Sequence, residues 1–164
     1  MSSVALAWLA MVAVDFFLHG GLLAPLYDWD SPFLLGPVDA FLRIPIGYLG
    51  LLILAAGLAV LLARLGVDSA RAGGTGGAGV GAVGWGAVVL GLWSISTADP
   101  ALLVGWWVSQ TVELGAGGFI IGSMLGGTPR RRMVTWVAVL VVAAVVLTVV
   151  LQTVGYASAP VVVP

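Results

Sequence analysis

The chain has 164 residues, 61% hydrophobic and 8% charged, with a formal net charge of -1 and a mean hydropathy of +1.17. A soluble domain is about 25% charged because its surface faces water, so this composition excludes a water-soluble globule and predicts an all-α polytopic membrane protein. The lack of cysteine excludes disulfides, thiolate nucleophiles and cysteine-bound metals, the lack of lysine excludes a Schiff-base retinal site, and the near-neutral charge offers no basic surface for nucleic acid.

A bilayer core of about 30 Å needs roughly 20 residues at 1.5 Å each. Five segments of a single transmembrane domain, residues 1–164, meet that length: about 4–27, 44–65, 78–97, 100–124 and 133–154. The first reads as a permanent span. It lacks a basic leader, and its apolar run exceeds the roughly 7–15 residues of a signal-peptide core. Residues 28–43 follow as an external cap carrying Asp28, Trp29, Asp30 and Phe41, with a short interfacial helix expected at 37–43. Residues 66–77, "GVDSARAGGTGG", have the composition of a flexible cytoplasmic linker. The third and fourth segments form one apolar tract, which "STADPALL" divides: Asp99 is a good N-cap and Pro100 suits the first helical position.

Five spans place Arg64, Arg71, Arg130, Arg131 and Arg132 on one side of the membrane. Arg43 alone falls opposite, with Asp28, Asp30, Asp39 and Asp99. Cytoplasmic loops are enriched in arginine and lysine, so the amino terminus is expected in the cytoplasm and the carboxyl terminus outside, in a plasma or inner membrane. The fifth span contains no ionisable residue and is expected to face lipid or a partner.

Three ionisable residues break the apolar pattern. Asp15 lies near the middle of the first span, His19 follows at i+4 on the same face, and Glu113 lies near the middle of the fourth. A charged side chain at the bilayer centre costs on the order of 2.5–3.5 kcal/mol by insertion scales. The economical arrangement packs the first and fourth spans together, so that Asp15, His19, Gln110 and Glu113 share a buried ligand- or proton-binding site. A polar knot that fixes helix register is the structural alternative. One histidine and two carboxylates form a thin donor set, and no metal, cofactor or catalytic residue is assigned.

The string "WLAMVAVDFFLHGG" from Trp8 aligns with "WWVSQTVELGAGGF" from Trp106, each with an acid seven residues after the tryptophan and a glycine five residues later. Spans 1–2 and 4–5 are therefore candidates for a weak inverted repeat about the third, a layout used by transporters. Gly118, Gly122 and Gly126 form a GxxxG ridge for close helix packing, either within the chain or in a homo-oligomer or partner complex. Gly73, Gly77 and Gly81 share that spacing but are discounted, because the first two fall in the expected linker. Tyr27, Trp29, Trp85, Trp106 and Trp136 suit the interfacial belt, while Trp93 and Trp107 are candidates for a pocket wall. Arg43 sits at the external entrance to the second span, suited to solvent or a lipid headgroup.

In size, span count and its seven tryptophans the chain resembles the tryptophan-rich sensory protein/translocator family, but it lacks that family's "PPGWVF"-like segment. A membrane carboxylate near aromatic residues resembles the small multidrug resistance exporters, which have four spans and a glutamate in the first, where this chain has Asp15. Neither resemblance carries a function over. The residues themselves point first to a proton- or cation-linked small-molecule transporter or channel-like protein using Asp15, His19 and Glu113. An enzyme acting on a lipid or isoprenoid, and a non-catalytic subunit or lipid-binding scaffold, are the alternatives.

Overall fold

A computed structural model describes residues 2–27 and 32–157. The described residues are helical and contain no strand. Five long helices succeed one another: α1 (Ser3–Phe17), α2 (Pro37–Arg64), α3 (Ala70–Ile95), α4 (Pro100–Leu125) and α5 (Arg130–Thr153). The segments Ser3–Leu22, Val38–Arg64, Ala70–Ile95 and Arg130–Thr153 are long and apolar enough to cross a membrane. The helix outside that set, α4, carries Gln110, Glu113 and five glycines, and it is also the helix at the centre of the bundle. It packs against α1, α2, α3 and α5.

Several boundaries depart from the sequence expectation. The apolar run 4–27 is not one continuous α-helix. After Phe17 the chain widens into a π-helical turn, Leu18–Leu22, closed by the Leu23 N–H on the Leu18 carbonyl at 2.7 Å, and then tightens into a 3-10 turn, Ala24–Tyr27. Proline at position 25 has no N–H to continue an α-helix. Gly20 and Gly21 let this turn lie against α5, where Gln152 Nε2 donates to the Gly20 carbonyl at 3.2 Å. The short helix expected at 37–43 is instead the first part of α2, which runs through Pro45 without a break. Asp28, Trp29, Asp30 and the last part of the expected external tail lie outside the described residues.

The expected linker is the clearest correction. From Ala70 onward it is helix α3, started by Ser69, whose side chain accepts from the Ala72 N–H. Gly73, Gly77 and Gly81 are buried in it and face α4. A Cβ on Gly73 would fall 2.8 Å from Gly122 Cα, and one on Gly77 would fall 3.2 Å from Gly118 Cα. One on Gly81 would fall 2.8 Å from Thr111 Cα. These pairs run in opposite directions along the chain, so α3 and α4 form an antiparallel hairpin whose backbones touch. Composition alone reads such glycine density as flexible; backbone-to-backbone contact along a whole seam overrides that reading.

The hairpin turn matches its sequence signal. The Asp99 carboxylate accepts from Ala101 N at 2.7 Å and Leu102 N at 3.2 Å, and Pro100 is the first helical residue. Gly66, Gly127 and Gly155 take positive φ just past the ends of α2, α4 and α5, each releasing its N–H to the last turn as helix C-termini require.

The remaining helices close on this hairpin. Leu51, Ala55, Leu58 and Leu62 make one buried stripe on α2, and Met133, Val137, Ala144 and Thr148 make one on α5. Both stripes meet the α1 residues Leu6, Ala7, Ala10 and Met11 in the main core or beside it. Outside its stripe α5 exposes Val139, Val142, Val146 and Leu147. The α2–α3 and α4–α5 turns meet at one end, where Gly126 abuts Asp68, so Arg64, Arg71 and Arg130–Arg132 cluster there. Asp39, Arg43 and Asp99 belong to the opposite end of the same helices.

Candidate functional site

Contacts between α1 and α4 are also antiparallel. Gly117 packs on Met11, and Gly105 packs on Leu23 and Leu26. That register brings the middle of α4 opposite the π-helical turn. Trp106, Gln110 and Glu113 stand at i, i+4 and i+7, so a single face of α4 carries all three toward α1.

Asp15, His19 and Glu113 meet there. His19 Nε2 stands 3.8 Å from Asp15 Oδ1 and 3.7 Å from Glu113 Oε1, and the three donor atoms all lie within 4.8 Å of one another. Glu113 is 0% exposed, and Asp15 and His19 are partly buried. Gln110 Nε2 donates to Glu113 Oε2 at 2.5 Å, which turns the other oxygen, Oε1, toward the histidine. The grouping of Asp15, His19, Gln110 and Glu113 is thus a feature of the folded chain.

Two further residues belong to the cluster. His19 Nδ1 lies 2.5 Å from Tyr27 Oη, and Trp106 Nε1 donates to the same oxygen at 2.7 Å. Because the phenol already accepts from Trp106, its own proton is free to go to Nδ1. A neutral His19 then carries its proton on Nε2, facing the two acids. Protonated at both nitrogens, the imidazolium would donate to Tyr27 on one side and to the carboxylates on the other. The arrangement holds the ring in one orientation in either charge state. Trp106 is itself packed on Phe33, with ring centroids 5.9 Å apart. Tyr27 and Trp106 were expected at the interface on depth alone. The i, i+4, i+7 spacing of Trp106, Gln110 and Glu113 was the sequence signal for the second; nothing local marks Tyr27, since the π-helical and 3-10 turns that fold it back onto His19 are not written in an apolar pattern.

The cluster forms one wall of a cavity of about 740 Å³. Asp15, His19, Tyr27, Trp106 and Gln110 line its polar side; Phe41, Ile44, Tyr48, Leu51 and Leu54 of α2 and Trp85 of α3 line the rest. Trp85 Nε1 and Gln110 Oε1 are buried there without a hydrogen-bond partner among the described residues. A volume of this size, mostly apolar with a few convergent polar groups, is the form of a small-molecule site.

The other sequence candidates lie elsewhere. Trp93 and Trp107 line a separate, apolar cavity of about 250 Å³ between α3 and α4, and Trp107 Nε1 donates to the Ala82 carbonyl at 2.8 Å. Arg43 is exposed on α2 and does not line the acidic cavity. Gly118 and Gly122 are covered by α3 and Gly126 by the turn before it, so a second copy would have to use another face. The two aligned strings also differ in their surroundings: Gly20 packs on Thr148 in a π-helical turn, whereas Gly118 packs on Gly73 in an unbroken helix. Comparison with known protein families, characterised proteins and solved structures returns no match.

Proposed function

We propose that this chain is a small multi-pass membrane protein that binds an amphipathic small molecule in the α1–α2–α4 cavity and links its passage to the charge state of Asp15, His19 and Glu113, as a proton- or cation-linked transporter or channel-like protein. The observation that carries the reading is the placement of Asp15 and His19, with the buried Glu113 beside them, in the wall of a cavity of about 740 Å³. An apolar, aromatic wall accepts the body of such a ligand, and the cluster offers the one place where a charge can be taken up or released. Adding or removing a proton there changes the attraction between α1 and α4, the two helices that supply the acids.

The accompanying topology has α4 as a fifth span, surrounded by more apolar helices that shield its polar residues from lipid. The arginine-rich end lies in the cytoplasm, and with it the amino terminus; the carboxyl terminus is external, and the membrane is the plasma or inner membrane. Exposed apolar residues of α5 and α2 meet membrane lipids. In vesicles containing the purified chain, Asp15→Asn and Glu113→Gln are expected to abolish flux coupled to a proton or cation gradient. Unchanged coupled flux in both variants would remove the proposal.

A second reading has one observation in its favour. Two carboxylates and an imidazole within 4.8 Å, beside a cavity whose α2 wall is exposed on its outer face, could serve a lipid substrate as general acid and base. Mass spectrometry of lipid extracts incubated with the protein separates the two: a modified lipid that requires Glu113 supports the enzyme, and an unmodified pool supports the transporter.

A further inference from the structure

We infer that Asp15, His19 and Glu113 form a binding site for one divalent transition-metal cation of the Zn²⁺ type, with its remaining coordination position open to the cavity. The inference deepens the function proposed above and rests on it, since it names the cation to which the cavity would be linked.

The separations are the first argument. His19 Nε2 lies 3.8 and 3.7 Å from the two acid oxygens, beyond the roughly 2.7–3.2 Å of a hydrogen bond. The three donors therefore converge without bonding one another. Zinc bonds of about 2.0–2.1 Å to nitrogen and oxygen place tetrahedral ligand atoms about 3.4 Å apart. Shifts of a few tenths of an ångström would close the two histidine–acid separations around such an ion, the two acid oxygens already lying within 4.8 Å of each other, and a shared proton cannot bridge such gaps.

Glu113 supplies the second. Its side chain is 0% exposed, and Oε1 is buried without a hydrogen-bond partner among the described residues, while Gln110 holds Oε2. An unpaired carboxylate oxygen in this setting is costly. A divalent cation between Glu113 and Asp15 makes the group neutral overall and gives that oxygen its partner. Outer partners of the kind metal sites use stand at the right atoms: with a metal on Nε2 the His19 proton would move to Nδ1 and be donated to Tyr27 Oη, which also accepts from Trp106, while Glu113 is oriented by Gln110. Imidazole nitrogen with carboxylate oxygen suits zinc and its first-row neighbours over magnesium or calcium, which prefer oxygen alone. Three protein ligands leave one position, and the residues flanking the cluster open it onto the cavity.

The full chain in detergent, stripped with chelator, is to be titrated with Zn²⁺ by calorimetry and with Co²⁺ by visible absorption, with Mg²⁺ as comparator. One Zn²⁺ per chain and a Co²⁺ spectrum of a mixed nitrogen–oxygen site are expected. Affinity is expected to fall at least about 100-fold in Glu113→Gln and in His19→Gln and roughly 10-fold in Tyr27→Phe, and to hold in Gly84→Ala, which has open space around it. His19 is partly exposed, so its variant remains informative if Glu113→Gln fails to fold. Binding well below one ion per chain, Mg²⁺ competing as well as Zn²⁺, or binding unaltered in either His19→Gln or Glu113→Gln would overturn the inference. Gradient-coupled flux in chelated vesicles without metal binding would overturn it while leaving the transporter reading intact. Stoichiometric binding by a protein that moves nothing would do the reverse.

Discussion

Helix α4 has two unlike faces. Toward α3 it presents Gly118 and Gly122 against Gly73 and Gly77, so closely that a methyl group has no place. Toward α1 and the cavity it presents Trp106, Gln110 and Glu113, polar groups with partners chosen one by one. The first face depends on atoms being absent and the second on particular atoms being present. A glycine-lined seam tolerates no addition, whereas a polar wall tolerates changes of shape but not of hydrogen-bonding capacity. In lipid, which would supply no hydrophobic drive for helices to associate, the close seam would hold α4 while its opposite face carries polar groups.

The largest effect is expected on the seam. Gly77→Ala sets a Cβ against the Leu114 carbonyl group and Gly118 Cα, backbone atoms that cannot swing aside. A loss of about 3 kcal/mol or more is expected, read as a fall in melting temperature in detergent. A variant that melts like the parent would show that the two backbones do not touch. Next comes the polar face. Glu113→Leu leaves the Gln110 amide without its acceptor and is expected to cost about 1–3 kcal/mol, whereas Glu113→Gln retains an acceptor and is expected to cost less. The order of the two melting temperatures checks this, because a purely steric role for Glu113 would reverse it.

Smaller effects sharpen the same contrast. On α3, Gly84 meets nothing within 4 Å, unlike Gly77 two helical turns earlier. Gly84→Ala is therefore expected to stabilise by about 0.5–1 kcal/mol through helix propensity; a destabilisation would mean that the seam extends further than the contacts show. The smallest change concerns α5. The Thr148 hydroxyl is buried against Gly21 with no hydrogen-bond partner among the described residues. Thr148→Val keeps the shape and removes the unsatisfied group, so a gain of up to about 1 kcal/mol is expected. A loss would reveal a bond the hydroxyl makes in the membrane.

The site was partly legible in the chain. An acid and a histidine at i, i+4 in one apolar helix, with a second acid at similar depth in another, are expensive in lipid unless they meet, and that cost alone pairs α1 with α4. Tyr27 and Trp106 were read as belt residues, because depth in a helix says where a ring lies along the membrane normal and nothing about which way it faces. Gly73 and Gly77 were set aside for a related reason. A run of glycines has the same composition in a flexible linker as in a close-packed helix, and only the facing helix distinguishes them.

The sequence by itself determined the solvent, through the excess of apolar over charged residues. It also determined the start of α4 at Asp99–Pro100, since capping is a local matter of N–H groups left without partners. Tertiary structure decided which glycines became a seam, how the π-helical turn folds Tyr27 back onto His19, and that three donor atoms converge without bonding one another. Those outcomes depend on contacts between residues far apart in the chain, such as Tyr27 and Trp106, whose meeting depends on how the helices pack rather than on any local pattern.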